Sequence, residues 1–202
     1  MKTLIIIDVQ NDFMPNGSLP VPLGDKIVPV INSINNKFDL IIATQDWHPL
    51  NHVSFATNHK DKSNFDVIEL HGKPQTLWPN HCVEGTEGAE FHPDLNTKNF
   101  EAIFRKGTNT SIDSYSAFYD NGHLKSTGLT GYLKEKGITE LYFCGLAADI
   151  CVYFSILDAF NEGFNCTFIE DASKALDNVH LDKLKQEMVA KGIKIVNSES
   201  FL

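Results

Sequence analysis

Missing from this sequence of 202 residues are any run of basic residues and any long apolar stretch. With a formal net charge of −9 and no basic patch, neither nucleic acid nor an anionic membrane surface is an expected partner. The opening MKTLIIIDVQ holds one lysine and four consecutive large aliphatics before Asp8, too few for a signal peptide or a membrane span. Cysteine is scarce as well. Cys82, Cys144, Cys151 and Cys166 are scattered, and two of them sit inside apolar runs, which excludes a disulfide framework and points to reduced thiols in a cytoplasmic protein. Internal repeats, low-complexity segments and linkers are absent too. Residues 1–202 are therefore expected to form a single domain, long enough to bury roughly 70% of its unfolded surface.

What is present is alternation. Leu4-Ile5-Ile6-Ile7 is too continuously apolar for a half-exposed strand and reads as central in a parallel sheet, ending in Asp8. A turn-rich loop from Pro15 to Gly24 follows, then helical spacing from Asp25 to about Lys37, then a second strand, Leu40 to Ala43, running toward Asp46. This is one right-handed β-α-β unit. Beyond residue 100 come a strand at Ala102–Phe104, a helix around Leu124–Lys136, a strand at 141–144 and an apolar helix up to Gly163. A strand at Cys166–Ile169, a helix near Val179–Ala190 and a strand at Ile193–Val196 complete the chain. The expected fold is α/β, a three-layer α/β/α sandwich about a six-stranded, mostly parallel, doubly wound sheet. Residues 47–100 break the rhythm, carry most of the histidines and hold a single strand-like run, Val67–Leu70. So long a connection is usually functional.

In doubly wound sheets, ligands bind at the carboxyl ends of the strands. The first strand ends in Asp8, the second in Asp46 and the third in Arg105-Lys106, while the fourth leads into GLAADICV, residues 145–152. With Asp149 as N-cap, Cys151 falls in the first turn of a helix. There, free backbone N–H groups and the positive end of the macrodipole favour a thiolate and can hold an oxyanion. A lone buried cysteine is ordinarily a small core residue. A carboxylate, a lysine and a cysteine on one sheet edge, however, have a chemical use: Asp8 takes the proton of Cys151, Lys106 stabilises the charged state, and the three titrate as a coupled set.

A second cluster lies in the long connection. Asp46 and His48 offer an oxygen and a nitrogen ligand two residues apart, and His81 can add another nitrogen. One carboxylate and two imidazoles suit zinc, iron or manganese, with His52, four residues past His48, as a fourth candidate. Phe13, Trp78 and Tyr115 are aromatics in loops, able to wall a flat pocket or else to cover a small core of their own. Cys82 reads as structural, Glu170-Asp171 as a capping pair, and His59, His71, His92, His123 and His180 as surface or turn residues.

Taken together, LIIIDVQNDF, the Gly17-Ser18-Leu19 loop, DWHPLNHVSF, LWPNHCVEGTEGAEFHP, RKGTNTSIDSYSAF and GLAADICV make the chain resemble the nicotinamidases of the isochorismatase-like cysteine hydrolase superfamily, over essentially its whole length. The resemblance implies a triad of Asp8, Lys106 and Cys151, and metal ligands Asp46, His48 and His81, with His52 a ligand in some relatives. It implies a cis peptide before Ala147, an oxyanion hole made by the N–H groups of Ala147 and Cys151, and a ring pocket of Phe13, Leu19, Trp78 and Tyr115. The implied activity is hydrolysis of nicotinamide, and of pyrazinamide, to the acid and ammonia through a cysteine acyl-enzyme, a step of NAD salvage. One divalent metal ion, zinc ahead of iron or manganese, would position the pyridine ring. The chain departs from the pattern at Ala148, where many relatives carry threonine, and at Val53, where glycine is frequent. Two rival readings stay open: an amidohydrolase of the same superfamily acting on carbamoyl or ureido substrates, which typically lacks the metal motif, and a non-hydrolytic binding protein on the same fold. A homo-oligomer is the one protein partner left open.

Overall fold

In chain order, the computed structural model, which describes residues 1–202, contains β1 (Lys2–Ile7), α1 (Ile27–Ile34), β2 (Leu40–Asp46), β3 (Val67–Leu70), β4 (Lys73–Thr76), β5 (Ala102–Lys106) and α2 (Leu129–Glu135). These are followed by β6 (Glu140–Gly145), α3 (Tyr153–Asn161), β7 (Asn165–Ser173), α4 (Asn178–Ala190) and β8 (Lys194–Val196). Six strands form one sheet in the order β5-β2-β1-β6-β7-β8, every pairing parallel. β3 and β4 make a small antiparallel hairpin of their own.

The unbroken aliphatic run of β1 follows from its place in the middle. Ile5 lies opposite Ile42 on one side and Phe143 on the other, and Leu4, Ile5, Ile6 and Ile7 are all fully buried. Successive side chains leave a strand on opposite faces. Leu4 and Ile6 pack with Ile27, Ile31 and Ile34 of α1 and with Phe13 and Trp78 from the loops. Ile5 and Ile7 pack with Leu133, Ile156 and Leu184 from α2, α3 and α4. Both faces are thus covered, which gives the expected three layers. Each of these side chains contributes about 1.5–3 kcal/mol by leaving water.

From β1 the chain runs outward through β2 to β5, then returns to the other side of β1 and continues through β6, β7 and β8. The strand order reverses between β1 and β6, and the crevice at their carboxyl ends is where such sheets hold ligands. Gly145 permits the junction. It sits at φ +121°, and a Cβ there would lie 2.1 Å from the carbonyl oxygen of Ile7, so only glycine lets β6 end this close to β1.

The structure corrects several local expectations. The helix expected around Leu124 begins at Leu129. Ahead of it, a turn closed by a Tyr119–Ser126 bridge is held by Asp120, whose carboxylate accepts the N–H groups of Gly122 and Leu124. Asp149 is not an N-cap. After β6, a cis Leu146–Ala147 bond leads into a wide turn, Ala148–Val152, in which the Val152 N–H reaches back five residues to the Ala147 carbonyl (3.1 Å) before α3 begins. Asp149 instead accepts the N–H groups of Leu176 and Asp177, both at 2.9 Å, and so holds the loop ahead of α4. Glu170 and Asp171 lie within β7 rather than beyond its end. Asp171 accepts the N–H of Ser198 (2.8 Å), and Glu170 pairs with Lys185 at 2.7 Å. Strand β4, Lys73-Pro74-Gln75-Thr76, has no apolar alternation to announce it, and its proline is tolerated because a two-stranded ribbon leaves one edge unpaired.

Candidate active site

Parallel pairing of β2 and β5 sets Asp46 opposite Lys106, so the lysine emerges beside that carboxylate at the carboxyl edge of the sheet. Its ammonium group is fully buried. It lies 2.8 Å from Asp8 Oδ2, donates to Asp46 Oδ1 and to the Ser114 carbonyl (3.1 Å), and stands 3.4 Å from Cys151 Sγ. Asp8 follows β1 in a left-handed conformation (φ +48°), which aspartate adopts more readily than most side chains. The Thr44 hydroxyl donates to its Oδ1 at 2.7 Å. The N–H of Ala147, next to the cis bond, has no acceptor within the chain.

Burial and charge work against each other here. Burial lifts the Asp8 carboxyl to about 6; Lys106 opposes that rise and the Asp46 charge adds to it. Burial likewise pushes the Cys151 thiol well above its ordinary value, against the pull of Lys106 and with the push of Asp46 and Asp8. For Lys106 burial favours the neutral amine, but Asp46, Asp8 and Cys151 together outweigh it and hold the ammonium well above its usual range. Asp46 shows the same contest: burial raises it, yet Lys106 and His48 bring it below the usual carboxylate range. The resting site therefore holds one cation between two carboxylates and a protonated thiol, with Asp8 as the carboxyl nearest neutrality.

Beside this group Asp46 Oδ2 lies 3.6 Å from His48 Nε2 and 3.8 Å from His81 Nε2. All three ligand atoms fall within 4.8 Å of one another, a spread that one ion can bridge. The far nitrogens are already occupied. His48 Nδ1 bonds the Gly107 carbonyl (2.9 Å) and His81 Nδ1 the Pro79 carbonyl (2.8 Å), which leaves each Nε2 directed at Asp46. Gly107 has to be glycine, since at φ +65° a Cβ would meet His48 Cε1 at 2.3 Å. Burial, then the His48 charge, lower His81 to about 4, so its imidazole is neutral and available as a ligand. His52 does not join the three. Its Nδ1 faces Ser54 Oγ (2.7 Å) and its Nε2 the Ile112 carbonyl (3.3 Å), and it forms a separate group with His48 and Asp113.

Phe13, Leu19, Trp78 and Tyr115 line one pocket together with Asp46, His81, Ala147 and Cys151. Of the two uses open to these loop aromatics, the structure shows both: they wall this pocket, and Phe13 and Trp78 also belong to the core on that face of the sheet. Its apolar lining and convergent polar groups suit a small flat ligand.

Over residues 2–200 the sequence matches the Isochorismatase domain. The chain belongs to the isochorismatase family. A nicotinamidase from Acinetobacter baylyi is 50% identical over 200 residues, covering 98% of this chain and 94% of the relative. The nicotinamidase/pyrazinamidase structure of Acinetobacter baumannii superposes with a TM-score of 0.97 at 48% identity, covering 100% of this chain and 98% of that one. A pyrazinamidase of Pyrococcus horikoshii in complex with zinc superposes with a TM-score of 0.78 at 38% identity, covering 97% of this chain and 98% of that one.

Some residues of this isochorismatase-family site escape sequence reasoning. Asp113, Val21, Ile150 and Leu176 also line the pocket, and Thr44 and Ser114 support Asp8 and Lys106. Two signals were available. Thr44 is the first polar residue after the apolar run Leu40–Ala43, two positions from Asp46 and so on its face, and Asp113 lies two residues before Tyr115 in RKGTNTSIDSYSAF.

Proposed function

We propose that the protein hydrolyses nicotinamide to nicotinate and ammonia through a thioester on Cys151. The observation that carries this reading is the meeting of Asp8, Lys106 and Cys151 in one aromatic-walled pocket with Asp46, His48 and His81. The nicotinamidase relative at 50% identity supports the substrate. Pyrazinamide is expected as a second substrate, in keeping with the neighbouring pyrazinamidase structures.

In this mechanism Asp8 takes the thiol proton while Lys106 holds the balance of charge, and the sulfur attacks the amide carbon. The N–H groups of Ala147 and Cys151 receive the tetrahedral oxyanion, where losing one donor typically costs ~3 kcal/mol. Asp8 returns the proton to the departing ammonia. A water molecule, deprotonated in turn by Asp8, then attacks the thioester, and the released sulfur regains its proton. Phe13, Leu19, Trp78 and Tyr115 clamp the ring, so that the amide carbon stands near the sulfur at the moment of attack.

Asp46, His48 and His81 fit a divalent ion by donor set and by the carbonyls that orient both imidazoles, and we take that ion to be zinc, as in the Pyrococcus horikoshii complex. When bound, it supplies a coordination site for the pyridine nitrogen and so fixes the orientation of the ring. His52 is assigned a supporting place beside His48 rather than a fourth ligand position. Residues 47–100 are on this reading the metal-binding insertion of a single domain. All four cysteines are free, which fits the cytoplasm, and no helix is long and apolar enough to cross a membrane. The test is an ammonia-release assay with nicotinamide on protein of measured metal content. Release that depends on Cys151 supports the reading, and no release from metal-loaded protein rejects it.

A further inference from the structure

Tyr115 stands between two cavities. On one side is the ring pocket that holds Cys151 and His81. On the other is a cleft of about 430 Å³, walled by Leu70, Ile112, Leu124 and Phe154, and Tyr115 is the one residue common to both linings. The side chain is pinned. Its hydroxyl accepts from Gln75 Nε2 (3.1 Å) and Trp78 Nε1 (3.3 Å), its backbone N–H donates to Asn121 Oδ1 (2.9 Å), and its ring lies 5.6 Å from that of Phe154. A ring held at both ends is a fixed wall.

Most polar groups around the cleft are already paired with the protein, the exception being Asp120, whose Oδ1 accepts two N–H groups while its buried Oδ2 has no partner. Lys73 Nζ donates to the Asn121 carbonyl (2.9 Å), His71 Nε2 bonds the Ser111 carbonyl (3.0 Å), and His123 lies 3.3 Å from Asp158. With those charges paired, most of the surface the cleft exposes is apolar. From this we infer that Tyr115 is the partition that restricts the enzyme to single-ring amides, and that the cleft behind it accepts the second ring of a fused bicyclic aromatic amide once the partition is removed. The inference rests on the proposed amidase activity, and the bond cleaved is the same: amide and water give carboxylate and ammonia.

The experiment compares kcat/KM for ammonia release from nicotinamide, quinoline-3-carboxamide and isoquinoline-4-carboxamide, in metal-loaded wild type, Tyr115→Ala and Tyr115→Phe. The two bicyclic amides carry their second ring on different edges of the pyridine. Tyr115→Ala is expected to raise kcat/KM for at least one of them by about tenfold or more, the scale on which a pocket discriminates by size. Tyr115→Phe keeps the ring and should keep the wild-type preference, which separates a steric partition from a role of the hydroxyl. Should Tyr115→Ala not fold, Tyr115→Leu makes the same opening in smaller measure. Folded, metal-loaded variants no better than wild type on both bicyclic amides would overturn the inference, as would an equal gain in Tyr115→Phe. Wild type inactive on nicotinamide would reject the parent reading alone. The partition is then decided by calorimetric binding of the bicyclic amides, which has to tighten in Tyr115→Ala and refutes the inference if it does not.

Discussion

Thr44 offers a way to tune the proposed base without touching it. Its buried hydroxyl donates to Asp8 Oδ1 at 2.7 Å and accepts the N–H of Asp8 at 3.3 Å. Thr44→Val keeps the volume and removes both bonds. A hydrogen bond to a charged group contributes about 1.5–3 kcal/mol, and this one favours the ionised carboxylate. At about 1.4 kcal/mol per pH unit, its loss lifts the Asp8 carboxyl by about 1 to 2 units above its starting position of about 6. Asp8 has to be ionised to accept the thiol proton, so the acid limb of kcat/KM moves to higher pH by the same interval while the alkaline plateau returns toward wild type. Stability follows the opposite sense from an ordinary paired aspartate. A carboxyl at about 6 in the folded protein and 3.8 otherwise binds more protons when folded, so its contribution is present at low pH and is lost as pH rises through that window. In Thr44→Val the loss extends further upward. The assay is kcat/KM for ammonia release between about pH 4 and about pH 9, with urea midpoints in the same buffers. Coincident acid limbs at equal metal content would refute Asp8 as the base.

Further outcomes follow from the same contacts. Cys151→Ala should abolish ammonia release and leave metal content intact, so substantial residual turnover would rule out covalent catalysis. Lys106→Met leaves the Asp8 and Asp46 carboxylates facing each other without their shared cation, a loss of about 3–5 kcal/mol measurable by urea unfolding near neutral pH. Lowering the pH, which protonates Asp8, should restore part of it. In Gly107→Ala the new methyl overlaps the His48 ring and the backbone stays at φ +65°, so metal stoichiometry should fall before the fold does; full stoichiometry by metal analysis would remove Gly107 from the support of the site.

The two groups of residues were legible in the sequence to different degrees. Leu4 to Ile7 and Leu141 to Cys144 could be placed in a parallel sheet because strands buried on both faces have no polar alternation, and the polar residues ending them followed from the rule for doubly wound sheets. The start of α2 and the β4 strand were not legible. Side-chain capping of a turn by Asp120 and pairing of Lys73-Pro74-Gln75-Thr76 with β3 depend on partners that hydrophobic periodicity does not register. Cys151 lies beyond β6, as the sequence pattern implies, but in a wide turn rather than the first turn of a capped helix, and Asp149 holds a different loop.

By itself, then, the sequence determined the sheet and its parallel sense, and put Asp8, Asp46 and Lys106 at strand ends, because burial pattern and strand ends are local properties of the chain; with His48, His81 and Cys151, candidates by spacing and by resemblance, they make up the proposed inventory. Only the tertiary structure decided how that inventory divides: Lys106 shared between two carboxylates, His52 turned to Ser54 and Ile112 instead of Asp46, and Tyr115 set as a wall with space on both sides. Apart from the His52–Ser54 contact, those are distances between residues dozens of positions apart. They are set by strand register and by the carbonyls and amides that hold each side chain, and neither is written in the spacing of residues along the chain.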